Sequence, residues 1–366
     1  MTILSQIDAA NNQQRPLLAR LRTASKPVML YGAGVYAYVL KRFLEANGLT
    51  VVGAMVDAAY KTDDNFMGVP VVSTEETACR LSDFHFVVGI TNVPVAVARL
   101  EKLGAPDVHV IDIPDYLNMP APFMDRAFVE QHAAEFDQAL QVFSDDLSRQ
   151  TYVAAINTKI SESLDHVRPH VRVDNLYFPK SEFFLREDEV FLDVGGFTGD
   201  TIREFHQVTG GRYGKIISLE PFKDNYERLV ESAKTLDILR VVPIQVGAWD
   251  EKTTLSFATN EMDIDNKISD SGTQKIEVDT IDAIMASEGS KLSLIKTDIN
   301  GAEYCALAGA RKTILRDRPR IITRLHLKED FYRIPLLLRD IAPDMKIHLR
   351  QRGYFSMMVI LYAEFV

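Results

Sequence analysis

The chain has 366 residues, enough for two domains of ordinary size, and its 46% hydrophobic and 25% charged residues are material for two buried cores. A formal net charge of −10 excludes a broad basic footprint for nucleic acid or an anionic membrane. The two cysteines, Cys79 and Cys305, are far apart with no metal-type spacing, and are expected to be small buried hydrophobes in a reducing compartment. Met1 to Asn12 lack a basic segment followed by an apolar run, and no apolar stretch reaches the ~18 residues of a membrane span. The expectation is a soluble cytoplasmic protein without a membrane span or a nucleic-acid partner.

In chain order, residues 1–25 read as an N-terminal helical arm. Pro27 to Tyr31 then form an apolar strand, Gly32-Ala33-Gly34 a turn, and a helix runs to about Ala46. Further strands are expected at Val51–Val56, Val69–Val72, Phe84–Gly89 and Val108–Ile111, with a helix from about Pro94 to Leu103. Alternating short apolar strands and amphipathic helices predict an α/β domain with a parallel sheet over 26–118. Pro114, Pro120 and Pro122 mark its end. Residues 119–172 are predicted as a helical connector, helical from about Met124 to Ile160. A second α/β domain follows over 173–366, with strands at Val190–Val194, Ile216–Glu220, Arg240–Val246, Leu292–Thr297 and Arg320–His326. Lys346–Leu349 and Met357–Ala363, separated by a turn near Gly353, predict a closing antiparallel hairpin. Asn260 to Gly272, rich in Asp, Asn and Ser, is expected to be an exposed loop, suited to act as a lid.

The second domain carries the denser chemistry. Val190 to Val194 end in a turn with Gly195, Gly196 and Gly199 before a helix that starts at Asp200-Thr201. Glycine admits positive φ and lets a ligand approach the backbone. In open α/β sheets, ligands bind beyond the carboxyl ends of the strands. The spacing is not that of a P-loop. Glu220-Pro221 follow the second strand, where a carboxylate can accept both hydroxyls of a ribose. Gly247-Ala248-Trp249 follow the third and leave room for a flat ring. Lys296-Thr297-Asp298 end the fourth, ahead of Asn300-Gly301-Ala302-Glu303. Singly, each has a plain structural reading, Asp298 as a helix N-cap among them; their order along one α/β unit points to a ligand site. In the first domain, Gly32-Ala33-Gly34-Val35-Tyr36-Ala37 fits G-x-G-x-x-A between strand and helix, with Asp57 at the next strand end, a dinucleotide-type arrangement.

The C-terminal half, from about Asp174 to the end, resembles the FkbM-type S-adenosylmethionine-dependent methyltransferases. The resemblance rests on Tyr177-Phe178-Pro179, Asp188 to Gly196, Gly199-Asp200-Thr201, Leu219-Glu220-Pro221 with Asn225-Tyr226, Val278 to Asp282, Ile295 to Asp298 with Gly301-Ala302-Glu303, and His326, Glu329-Asp330, Ile334-Pro335 and Leu361-Tyr362-Ala363. Asn300 and Arg324 depart from the pattern, which usually has acidic residues at those places, so roles carried by such carboxylates do not transfer. The first domain resembles nucleotide-sugar-binding domains that precede some sugar acyltransferases, through Val52-Gly53 to Asp57 and Gly68-Val69-Pro70-Val71.

The resemblance implies two Rossmann-like domains, the C-terminal one a mostly parallel methyltransferase-type sheet with a terminal antiparallel hairpin. It implies S-adenosylmethionine as cofactor, held by Asp193, Gly195, Gly196, Gly199, Asp200, Thr201, Glu220, Pro221, Gly247, Ala248 and Asp298. Methyl transfer to a hydroxyl of a sugar, polysaccharide precursor or natural product is the implied reaction. Asp298 and His326 are the candidate general bases, and Lys296 and Glu303 the orienting or charge-stabilising groups. No spacing demands a metal. A second ligand, a nucleotide sugar or NAD(P), would sit at Gly32, Gly34 and Asp57. The expected partner is a small-molecule acceptor, such as a nucleotide sugar or glycan precursor, and self-association is left open. Competing readings are an NAD(P)-dependent oxidoreductase or epimerase using the Gly32 turn, which lacks a Tyr-x-x-x-Lys pair, and a non-catalytic ligand-binding protein.

Overall fold

The computed structural model describes residues 2–8, 14–113, 124–180, 184–236, 240–258, 267–268 and 274–365. The prolines at 114, 120 and 122 and most of the 260–272 segment lie outside the described residues. Among the described residues, no helix is long and apolar enough to cross a membrane.

The N-terminal sheet contains β1 (Val28–Tyr31), β2 (Val51–Val56), β3 (Asn65–Phe66), β4 (Val69–Ser73), β5 (His85–Val88) and β6 (Val108–His109), in the order β3-β4-β2-β1-β5-β6. All pairs are parallel except β3 with β4. All four residues of β1 are buried, as expected of a central strand covered by helices on both faces. The order reverses between β1 and β5, and the Gly32 turn leaves β1 at that point. Gly32 has φ +123, and a Cβ there would lie 2.6 Å from Ile90 Cγ2 and 2.8 Å from the Gly89 carbonyl. Close packing of two strand ends therefore explains this glycine without a ligand.

Three connector helices replace the single helical stretch expected over Met124–Ile160: Arg126–Gln131, Ala133–Val142 and Asp146–Ser161. The breaks at His132 and around Phe143 account for the mixed spacing of the apolar residues. Asp125 and Asp145 cap the first and third helices, accepting from Phe128 N at 2.8 Å and Ser148 N at 2.7 Å. The N-terminal arm docks on the connector, with Asp8 N donating to Asn157 Oδ1 at 2.8 Å. Tyr152 donates to the Phe331 carbonyl at 3.1 Å, tying the connector to the second domain. One hydrophobic core runs through the N-terminal sheet, the connector and one face of the C-terminal sheet.

The C-terminal domain builds its main sheet from β7 (Val190–Val194), β8 (Lys215–Leu219) and β9 (Val241–Ile244). A four-stranded insertion follows: β10 (Gly247–Trp249), β11 (Thr253–Ala258), β12 (Lys267–Ile268) and β13 (Gln274–Thr280). The main sheet resumes with β14 (Leu294–Thr297), β15 (Arg320–Arg324), β16 (Met345–Gln351) and β17 (Val359–Phe365). Its order is β16-β17-β15-β14-β7-β8-β9, five parallel strands with an antiparallel closing hairpin. Pro243 is tolerated in β9 because that strand lies at the edge. Strand alternation sends Leu192, Ile217 and Ile295 into the shared core and Phe191, Ile216 and Leu294 into a second cluster on the opposite face.

The cysteines depart from expectation. Cys79 is exposed and Cys305 half-buried, because Cys79 follows a four-residue helix, Thr74–Thr77, at a surface turn.

Asp145 also joins the connector to β16. It pairs with Arg350 Nη2 at 2.8 Å and His348 Nδ1 at 2.7 Å. Burial alone would raise its carboxyl, but Arg350 and the Ser148 bonds outweigh that and hold it well below the ordinary value. Asp145→Ala should cost about 1–2 kcal/mol through the lost cap alone, read as a lower urea midpoint. Because the folded value is depressed, this contribution is present at neutral pH and is lost as pH falls below about 4, through the folded value. A wild-type-to-variant difference that stayed constant down to pH 2 would contradict it.

Candidate functional site

The site is organised by strand register. Asp193 on β7 lies opposite Lys296 on β14 and Ser218 on β8, so the three side chains share one sheet face. Lys296 Nζ is 3.0 Å from Asp193 Oδ1, and Ser218 Oγ donates to Asp193 Oδ2 at 3.0 Å. The ion pair is enclosed, at 3% and 0% side-chain exposure. Burial alone would lower the lysine, but the charges of Asp193 and Asp298 outweigh it and keep the ammonium charged. Lys296 also donates to the Gly195 carbonyl at 3.1 Å, fixing the turn after β7.

That turn has no room for a side chain at Gly195, Gly196 or Gly199. Gly195 has φ +88, and a Cβ there would lie 2.4 Å from the Asp298 carbonyl oxygen. The backbones beyond β7 and β14 therefore meet, and a cleft of about 290 Å³ opens over them, near the small end of the range for small-molecule sites. Gly195, Asp200, Thr201, Glu220, Pro221, Gly247, Ala248, Lys296 and Asp298 line it. Asp193, Gly196 and Gly199 are not among the lining residues; all three are buried, and a Cβ on Gly196 would overlap Ser218 Oγ.

Glu220 is 4% exposed and receives Phe197 N at 2.9 Å and Phe222 N at 3.0 Å, one on each oxygen. Burial raises its carboxyl to about 7, against the lowering effect of these two N–H donors. Each oxygen keeps a lone pair for a further donor. Leu255, Ile276 and Val278 from the inserted sheet, with Trp249, add an apolar wall. The strand reading omitted β11 and β13, although Gln274–Thr280 alternates apolar and polar residues in sequence.

Beyond β14 lies a second polar cluster. Asp298 Oδ2 accepts from Tyr177 Oη and from Arg324 Nη1 at 3.0 Å, and Asp298 Oδ1 is 3.2 Å from His326 Nε2. His326 Nδ1 is 2.9 Å from Glu303 Oε1, while Glu303 closes its own turn by accepting from Ile299 N at 2.6 Å and Gly301 N at 2.8 Å. Asn300, in the same turn, has φ +56, a left-handed conformation that asparagine tolerates better than most residues. Burial would lower His326, but Glu303 and Asp298 outweigh it and raise the imidazole to about 9. Burial would likewise raise Asp298, but Arg324, His326 and Lys296 hold it well below the ordinary carboxyl value. Sequence reading gave Tyr177 and Arg324 no role in the cluster; both line the cleft, whereas His326 and Glu303 do not.

Asp298, Glu303 and His326 offer ligand atoms within 4.8 Å of one another, the one such grouping among the described residues. Their hydrogen bonds run to each other, to backbone N–H groups and, from Asp298, to Tyr177 and Arg324, and the imidazolium lies between the two carboxylates as the cation. The arrangement is a closed ion-pair chain.

The residues singled out in the N-terminal domain also lie together at strand ends. Asp57 Oδ1 accepts from Arg99 Nε at 2.9 Å and Thr74 Oγ1 at 3.2 Å, and Oδ2 from Tyr31 Oη at 3.3 Å. Gly34 precedes the helix Val35–Ala46, and a Cβ there would meet nothing within 4 Å.

A family model for the methyltransferase FkbM domain matches residues 193–355, beginning at the buried Asp193. The chain is similar to the crystal structure of methyltransferase FkbM from Methylobacillus flagellatus KT over 99% of its length and 95% of that chain, at 20% identity and a TM-score of 0.63. That likeness extends the shared fold to both domains. An rRNA methylase from Streptococcus thermophilus aligns with 50% of this chain and 89% of its own, at 11% identity and a TM-score of 0.32. A precorrin-6y C5,15-methyltransferase from Geobacter metallireducens aligns with 49% of this chain and 82% of its own, at 12% identity and a TM-score of 0.32. No curated protein matches the sequence.

Removing Lys296 from the C-terminal domain leaves Asp193 buried without its counter-charge. Lys296→Met should therefore destabilise it by about 3–5 kcal/mol, read by urea denaturation. A loss below about 1 kcal/mol would show that the ion pair does not hold the turn.

Proposed function

We propose that the chain is an S-adenosylmethionine-dependent methyltransferase acting on a hydroxyl group, of a sugar, polysaccharide precursor or natural product. The observation that carries the cofactor reading is Glu220: a buried carboxylate held on both oxygens by backbone N–H groups, at the end of β8, beside the Gly195 turn and an apolar wall. The lining fits a cationic nucleoside. Arg324 is paired with Asp298 and Lys296 with Asp193, so Glu220 and the exposed Asp200 give the cleft an acidic excess. S-adenosylmethionine, when bound, supplies a methyl group on a positively charged sulfur.

The residues divide the work as follows. Glu220 accepts the two ribose hydroxyls, and Gly195 and Gly247 keep side chains off the adjacent backbone. Trp249 with Leu255, Ile276 and Val278 covers a flat ring. Asp298 receives the proton of the acceptor hydroxyl on Oδ1, the oxygen not shared by Tyr177 and Arg324. His326 acts through Asp298: both its nitrogens are engaged, so it orients the carboxylate and stabilises its charge. Holding the hydroxyl in line is the larger share of the task and can supply roughly 7–11 kcal/mol; proton removal adds about 10²–10⁴-fold.

Two outcomes test this reading. Calorimetry should give micromolar S-adenosylmethionine binding that Glu220→Ala reduces at least about tenfold, the loss of one charge-assisted hydrogen bond or more. With Glu220 raised to about 7 in the free protein, ribose hydroxyls donating to its carboxylate favour the deprotonated form. Affinity should then rise between pH 6 and 8, with proton release on binding that depends on buffer ionisation enthalpy near pH 6.5. Absence of binding, or binding indifferent to both changes, would remove the cofactor assignment.

A further inference from the structure

The hairpin turn between β16 and β17 touches both domains. Within it, Gln351 Nε2 donates to the Gly353 and Phe355 carbonyls at 2.7 and 2.8 Å, and Arg352 N to the Met358 carbonyl at 2.7 Å. Gly353 approaches Met358 so closely that a Cβ would fall 2.8 Å from its Cγ. The turn is therefore sewn into one shape. On one side, Phe355, fully buried, stacks on Tyr36 of the N-terminal domain with ring centroids 4.3 Å apart. Ser356 N donates to Asp112 Oδ1 at 3.2 Å, also from the N-terminal domain, and Asp112 is 2% exposed.

On the other side, the same turn grips Arg324. The Met357 carbonyl accepts from Arg324 Nε at 3.1 Å, and Met358 Sδ lies 3.6 Å from Nη2. Its Nη1 reaches Asp298 at 3.0 Å. The guanidinium is thus aimed by the turn, and its third contact falls on the carboxylate at the centre of the polar cluster.

We propose that the N-terminal domain positions the methyl-transfer site: Tyr36 and Asp112 hold the turn Arg352–Met358, the turn holds Arg324, and Arg324 fixes Asp298. Arg324 is a positioning residue acting through Asp298, and the N-terminal domain has this role whether or not its glycine turn takes a ligand. The proposal rests on the preceding reading only in naming the cluster as the place of methyl transfer.

The test reads His326 by imidazole ¹⁵N NMR in the ligand-free full-length protein, with the resonance assigned by its loss in His326→Gln. The charged groups around this ring include Asp298 beyond β14, Glu303 at the start of its helix, Asp330, whose carboxylate accepts from His326 N, Arg324 on β15 beside Asp298, and Lys159 of the connector, whose charge acts on Asp330 and Arg324. Removing the guanidinium beside Asp298 takes a positive charge away from the imidazolium, so Arg324→Gln should move the His326 midpoint upward. Tyr36→Ala should reproduce that upward shift, Tyr36→Phe should not, and the Tyr36→Ala/Arg324→Gln double variant should add nothing beyond Arg324→Gln. Should Tyr36→Ala fail to fold, Phe355→Leu makes the same comparison. A wild-type midpoint in a folded Tyr36→Ala or Phe355→Leu protein in which Arg324→Gln still shifts it overturns the proposal, as does an Arg324→Gln midpoint equal to wild type. Failure of the wild type to bind S-adenosylmethionine would remove the functional reading and leave this comparison intact.

Discussion

The Asp193–Lys296 ion pair is the constraint on which the rest of the C-terminal domain depends. Two opposite charges enclosed in a protein interior are stable only with close geometry and further hydrogen bonds. Register provides both here: the residues face each other on neighbouring strands, Ser218 supplies a donor from the third, and Lys296 spends another proton on the Gly195 carbonyl. The turn beyond β7 is then fixed against the backbone beyond β14, and the cleft has a rigid floor. Replacing the floor glycines by larger residues would collide with backbone or with Ser218, so floor and sheet centre form one packing unit.

Around that floor, the protein separates two electrostatic environments. Glu220 is buried and held by two backbone donors, and its carboxyl rises toward neutrality. Asp298, whose side chain is 14% exposed, is surrounded by Arg324, His326 and Lys296, which hold its carboxyl well below the ordinary value. A carboxylate poised to change its protonation beyond β8 and one held ionised in the free protein beyond β14 follow from those neighbours alone. The hairpin turn joins this chemistry to the other domain, because the shared core and the Tyr36–Phe355 stack leave the two sheets no independence at that point.

Much of this was legible in the sequence. Apolar runs ending in Gly195-Gly196, Glu220 and Asp298 give away strand ends, because a parallel strand covered on both faces is mostly apolar and ligand-facing groups gather beyond its carboxyl end. The closing hairpin announced itself by its short connection at Gly353. The breaks at His132 and Phe143 were hidden, since apolar residues continue through both and only the Asp145 cap marks the second. The inserted sheet, which supplies the apolar wall, escaped attention because β11 and β13 are short alternating strands beside a polar segment. Arg324 read as a departure from a pattern; its meaning depends on Tyr177, Asp298 and Met357, which are distant in sequence and are brought together only by the order β17-β15-β14. Likewise, Asp57 offered a ligand-binding carboxylate in sequence, but its three protein donors come from β1, the short helix after β4 and the helix after β5.

The chain has one tryptophan, and it lines the cleft. Intrinsic fluorescence of Trp249 during titration with S-adenosylmethionine therefore reports on the proposed site without a label and without knowledge of the acceptor. A saturable change in emission, shared by S-adenosylhomocysteine and absent with NADH, is the result expected from a nucleoside covered by Trp249 and anchored on Glu220. Emission unchanged up to millimolar S-adenosylmethionine would contradict the assignment of this cleft as the cofactor site.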